Sequence, residues 1–148
     1  PQADAAVFSY VIEAEAYVAQ GRLVDAQRVF VKLADDFPQN RFAAYGLLQA
    51  ALTVRKLGQD SNRREAYNIL ERLVQNYPQS DLIFTARFTQ GDLLRELNQF
   101  ASALQTYETL VVDFPRHADV RAAELAVADC HAALATADAT RLERAMAG

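Results

Sequence analysis

AQRVFVKLADDFPQN (Ala26–Asn40), AYNILERLVQNYPQS (Ala66–Ser80) and ALQTYETLVVDFPRH (Ala103–His117) lie over one another without a gap. An Ala heads each copy, and an aromatic-Pro pair closes it: Phe37-Pro38, Tyr77-Pro78 and Phe114-Pro115. Between them Phe30, Leu70 and Tyr107 coincide, as do Leu33, Leu73 and Leu110. The copies start 40 and then 37 residues apart, a period that belongs to helical-repeat proteins rather than to a fold built around one catalytic pocket.

Working outward, each copy is the second helix of a pair. Val7, Tyr10, Val11, Ala14, Tyr17 and Val18 recur at spacings of three and four before Gly21, so a first helix is expected from Asp4 to about Gln20. The next spans about Arg22 to Asp36, and Pro38 forbids its continuation. The same reading gives helices from after Asn40 to Gly58, from about Asn62 to Asn76, from Asp81 to Leu97, from Gln99 to Asp113 and from Ala118 to Thr136, with Asn40 and Ser80 as caps. Thr140 to Met146 is expected to begin an eighth. The middle pair is three residues longer between Ala51 and Ala66 than its neighbours, and the extra residues are placed in its turn, Gly58 to Arg64. The expected fold is all-α, a solenoid of antiparallel helix pairs in one domain over 1–148, with repeats at about 4–40, 41–80, 81–117 and a partial 118–148.

Small residues repeat in step: Ser9, Gly46, Ala86 and Ala123, then five positions later Ala14, Ala51, Gly91 and Ala128. Small residues at such positions mark close approach of a neighbouring helix backbone, so these are read as packing.

Composition narrows the function. About half of the residues are apolar and 23% are charged, enough apolar surface for a continuous core and too little charge for disorder. Ala is abundant and β-branched residues are sparse, which favours helix. A net charge of −4 with no basic run beyond Arg63-Arg64 disfavours nucleic acid. No apolar stretch is long enough to span a bilayer. The start, Pro1-Gln2-Ala3-Asp4, reads as that of a mature or trimmed segment rather than a leader. A single cysteine, Cys130, excludes an internal disulfide and does not fix the compartment.

Small residue, short turn, Ala, aromatic or Leu, Leu, then Pro resembles the tetratricopeptide repeat, over roughly residues 7 to 136. Ser80 to Phe88 and Phe114 to Leu125 look like the subtype in bacterial cell-envelope proteins, the periplasmic Tol-Pal-associated protein and the outer-membrane assembly lipoprotein. Arg87 departs from it, standing where a bulky aromatic is usual. The resemblance implies a right-handed superhelix whose first helices line a concave groove for a protein or peptide, and a periplasmic or envelope location with the cytoplasm as the alternative. The groove positions it implies are Phe8, Val11, Glu15 and Val18; Tyr45, Leu48, Leu52 and Arg55; Thr85, Phe88, Asp92 and Arg95; and Ala122, Leu125, Asp129 and Ala132. Glu15, Tyr45, Leu48, Leu52, Arg55, Thr85, Phe88, Asp92, Arg95 and Asp129 are the partner-binding candidates. Leu48, Phe88 and Leu125 equally fit packing between helices, and the charged members fit a solvated face. The Lys/Asn clamp by which some co-chaperones of this family hold a carboxylate is absent, since Val11, Glu15, Gln49, Thr85 and Thr89 occupy its places.

No catalytic chemistry is legible. Cys130 and His131 are neighbours on a helix and diverge by about 100°, too far apart for a nucleophile-base pair. His117 stands where Asn40 and Ser80 stand and reads as a turn residue. One Cys and two His make no zinc spacing, and neither a phosphate loop nor a G-x-S-x-G occurs. The sequence therefore points to a non-enzymatic binding scaffold with no cofactor or metal. The alternatives are a self-associating structural module, through Phe8, Val11 and Val18, or an accessory domain of an enzyme.

Overall fold

The computed structural model describes residues 2–148, with side chains from residue 3 onward. Seven helices and no strand occur among the described residues: α1 (Gln2–Ala19), α2 (Leu23–Asp36), α3 (Ala43–Arg55), α4 (Asp60–Asn76), α5 (Ile83–Glu96), α6 (Phe100–Asp113) and α7 (Val120–Ala147).

One residue in left-handed conformation makes the turn within each pair. Gly21, Gly58 and Asn98 have φ of 74°, 84° and 60°, and each lies seven residues beyond a buried small residue, Ala14, Ala51 or Gly91. Gly meets no Cβ penalty there, and Asn tolerates it better than other side chains do. The next N–H then reaches back five residues, Arg22 to the carbonyl of Tyr17 and Gln99 to that of Leu94, both at 2.8 Å. In all three pairs the second helix begins two residues past the left-handed one. The three extra residues of the middle pair are therefore not in the turn, as expected from sequence, but in α4. It has 17 residues where α2 and α6 have 14. Three residues are close to one helical turn, so Ala66 is carried back near the facing position of Ala26 and Ala103.

Each second helix ends alike. Phe37, Tyr77 and Phe114 have φ near −130° and ψ near 57°, and donate their N–H to Leu33, Leu73 and Leu110. The following Pro drives its predecessor out of the helical region. Asn40, Ser80 and His117 then perform one job: Oδ1, Oγ and Nδ1 accept from the N–H two residues on, at 2.9, 3.1 and 3.1 Å. His117 is a turn residue, as its position predicts; the N-caps themselves are Phe42 for α3 and Asp119 for α7, so Asn40, expected as a cap, instead closes the turn that precedes the helix.

The last helix departs from expectation. Seven residues past Ala128 stands Ala135, where the other pairs have Gly or Asn. Ala is penalised in the left-handed conformation, so the chain does not turn and α7 runs unbroken for 28 residues. Thr140 to Met146 continues α7 instead of starting an eighth helix. Ala128, expected to be a packing residue, is exposed because no second helix folds back over it.

The chain forms two compact units, one up to Ala86 and one from Arg87 to Gly148. In the first, α1 packs on α2, α2 on α3 and α3 on α4. Phe30 is buried with Ala14 and Ala50, surrounded by Val18, Val29, Val31 and Ile69. A Cβ on Gly46 would stand 2.9 Å from the carbonyl oxygen of Phe30, so the small residue does permit close backbone approach. In the second unit α6 packs on α7, and Gly91 of α5 lies under the ring of Tyr107 on α6. Arg87 replaces the usual aromatic by an ion pair, its Nη1 lying 3.8 Å from Asp113 at the end of α6. Tyr10 donates to the equivalent Asp36 in the first pair at 2.7 Å, whereas Leu47 and the uncharged Asn76 hold these two register positions in the middle one.

Candidate functional site

In the first unit, α1, α2 and the C-terminal half of α3 enclose an open pocket of about 540 Å³ lined by Glu15, Val18, Phe30, Gln49, Leu52, Thr53, Arg55 and Lys56. Buried Phe30 contributes from beneath, with half-buried Val18 and Leu52 beside it. The polar lining is asymmetric: Glu15 comes from α1, while Arg55 and Lys56 come from the end of α3, where cations also suit the helix dipole. Thr53 turns its hydroxyl back to the carbonyl of Gln49 at 2.7 Å. Tyr45 lies near Glu15 without lining the pocket; burial and then the Glu15 carboxylate raise its pKa, so it is neutral at physiological pH.

Of the groove positions in this unit, Glu15, Leu52 and Arg55 thus come together, joined by Val18. Leu48 is buried, Thr85 is exposed, and neither lines the pocket. Phe30 and Lys56 were missed. Phe30 sits in the repeated column of a second helix, which reads as core, and Lys56 lies just past the end of α3, beyond the groove positions that the resemblance implies.

In the second unit the expected residues form an internal polar cluster. The Tyr107 hydroxyl, fully buried, donates to Asp92 Oδ1 at 2.5 Å and accepts from Arg95, and Arg95 Nη2 lies 3.6 Å from Asp129 on α7. Phe88 packs on the same ring, with centroids 5.5 Å apart. Burial first, and the bond to Asp92 second, push the Tyr107 pKa far above its ordinary value of 10.0. The folded state therefore keeps this proton when the unfolded chain begins to lose it. The contribution is complete below about pH 10 and falls as pH rises from there through the folded-state pKa. Tyr107→Phe is expected to cost about 1–3 kcal/mol at neutral pH, since Asp92 loses its donor, and to flatten the loss of stability above about pH 10. Urea titrations of both proteins at neutral pH and above pH 10 check it.

Cys130 and His131 diverge as helical neighbours must: Cys130 is buried, which raises its thiol pKa, while exposed His131 approaches Glu108 at 3.7 Å. Among the described residues no His, Cys, Asp and Glu group is placed to hold a metal, and no helix is long and apolar enough to cross a membrane.

Helix pairs closed by an aromatic-Pro turn and packed through small residues define an all-α repeat protein. The tetratricopeptide repeat matches residues 45–80 and 85–117, each stretch spanning most of a first helix, all of a second and the aromatic-Pro turn. Among solved structures the chain is similar to one titled "MamA RS-1 ArsTM double mutant", at a TM-score of 0.68 and 18% identity, over 88% of this chain and 66% of that one. At that identity the likeness concerns the fold, and this chain spans only about 66% of that structure's length. No curated protein matches the sequence. The chain carries tetratricopeptide repeats, units that generally mediate protein–protein interaction.

Proposed function

We propose that this protein is a non-enzymatic scaffold that binds a protein or peptide partner through the first helices of its repeats, with the pocket of α1–α3 as the main anchor. The observation carrying this is the pocket's make-up: an apolar base of Phe30, Val18 and Leu52, flanked by Arg55 and Lys56 on one helix and Glu15 on another. An apolar centre within a polar rim is the anatomy of a protein-binding patch. A bacterial cell-envelope or periplasmic setting is part of the same reading, supported by the subtype likeness of Ser80 to Phe88 and Phe114 to Leu125.

Capture from bacterial envelope extract tests it, with wild type beside Leu52→Ala/Arg55→Glu/Lys56→Glu, whose fold is verified by circular dichroism. A partner held by the wild type should be lost, its affinity falling about 100-fold or more, as removal of hot-spot groups predicts. Equal recovery by both proteins would move the binding surface elsewhere.

A further inference from the structure

Each other pair covers one column of its first helix with its own second helix. Leu48 on α3 is buried, Val11 on α1 and Phe88 on α5 are half-buried, Phe88 against Tyr107 of α6, and Ala14, Ala51 and Gly91 are buried. The equivalent residues of α7 are Leu125 and Ala128, and both are exposed, Leu125 at 68%. The cause is Ala135, which withholds the left-handed turn and with it the covering helix. The uncovered face continues through Ala132, Ala135, Ala139, Leu142 (62% exposed) and Met146 (79%). From Leu125 to Met146 the spacing runs three, four, three, four, three, four, the seam of a coiled coil over about three heptads.

The charges beside that seam say what it takes. One side carries Glu124, His131 and Asp138, and the other Asp129, Thr136 and Glu143; Arg141 and Arg144 lie toward the back of the helix. Arg121 stands one turn before Leu125, at the N-terminal end. Asp129 pairs with Arg95 and Asp138 with Arg141, both at 3.6 Å, but these are exposed pairs of small energetic weight. Two copies aligned in parallel would set Glu124 against Asp129 and Asp138 against Glu143. Antiparallel copies would set Asp129 against Glu143, with only His131 against Asp138 in compensation. Like charges across a seam select against self-pairing, and an acidic border selects a basic one.

We propose that this face of α7 binds an amphipathic helix of another protein, whose apolar seam is bordered by Lys or Arg and which lies where the second helix of the pair would lie. It presents a small residue opposite Ala128, as befits the small-residue helix crossings elsewhere in the chain. The inference does not depend on the pocket of α1–α3: the triple variant proposed above leaves it intact.

The probe is a dye-labelled synthetic helix of about three heptads, Leu and Ala along the seam and Lys on both borders, beside a twin bordered by Glu. In fluorescence anisotropy against the full chain at low salt, the Lys-bordered peptide binds about tenfold tighter or more than its twin. Leu125→Asp/Leu142→Asp, both at exposed positions, removes that binding while the circular dichroism spectrum is retained. Glu124→Lys/Glu143→Lys inverts the preference. Equal affinity for the two peptides, absence of binding, or binding that survives Leu125→Asp/Leu142→Asp overturns the proposal. So does a dimer in sedimentation that the same double variant dissolves, since the face would then belong to a second copy.

Discussion

Gly91→Leu is expected to lower the melting temperature by roughly 10 °C, through about 3 kcal/mol of overpacking where α5 crosses α6. Even a lone Cβ at this position would stand 2.5 Å from Cε1 and 2.7 Å from Cζ of Tyr107. The ring cannot retreat. It is fully buried, Phe88 packs on it, and its hydroxyl is held by Asp92. Replacing Gly in a helix returns somewhat under 1 kcal/mol of propensity, which the clash exceeds. A companion variant isolates the cause. Gly91→Leu/Tyr107→Ala should be less destabilised than the two single changes summed, with a coupling of about 1–3 kcal/mol, because removing the ring removes the clash. An unchanged melting temperature for Gly91→Leu would show that α5 meets α6 at another register.

Phe30→Ala should cost about 3–5 kcal/mol, read as a lower urea midpoint for the first unit. Phe30 gathers residues from four helices: Ala14 and Val18 of α1, its own neighbours on α2, Ala50 of α3 and Ile69 of α4. The residues fully buried with it are alanines, and Gly46 already brings α3 to the limit of approach at the Phe30 carbonyl. The helices therefore cannot slide inward to fill the space, and the cavity remains. Because stability in repeat proteins is a sum of local terms, the loss should concentrate in α1–α4. The same change removes the base of the pocket, so partner binding should weaken even under conditions where the protein stays folded. Val112→Ala, at a position 76% exposed, is the matched control and should change stability by less than about 0.5 kcal/mol.

The helix pairs were legible because their signals are local. Pro38, Pro78 and Pro115 end second helices by sterics that need no tertiary partner, and Asn40, Ser80 and His117 close the turn before the next helix at fixed offset. The candidate site was legible in part. The groove positions implied by the tetratricopeptide resemblance include Glu15, Leu52 and Arg55. The resemblance cannot tell that Phe88, Asp92 and Arg95 turn toward Tyr107, because that depends on the neighbouring helix. Phe30 was hidden by its success as a core residue, since one side chain here serves both core and pocket.

By itself the sequence determined that this is an all-α repeat protein, the approximate extents of its three complete helix pairs, and the recurrence of one aromatic-Pro turn after each. Those properties follow from backbone sterics and helical periodicity, which act over a few residues. Tertiary structure decided the rest. It absorbed the three-residue insertion into α4, because a near-whole turn of helix preserves the facing of Ala66 while a longer loop would not extend the packing. It also turned Phe88, Asp92 and Arg95 into an internal cluster around Tyr107 and opened a pocket beside Phe30. Above all it left one face of α7 bare: a single Ala135 where Gly or Asn turns the other pairs keeps the helix straight, and a face is covered only when another helix arrives to cover it.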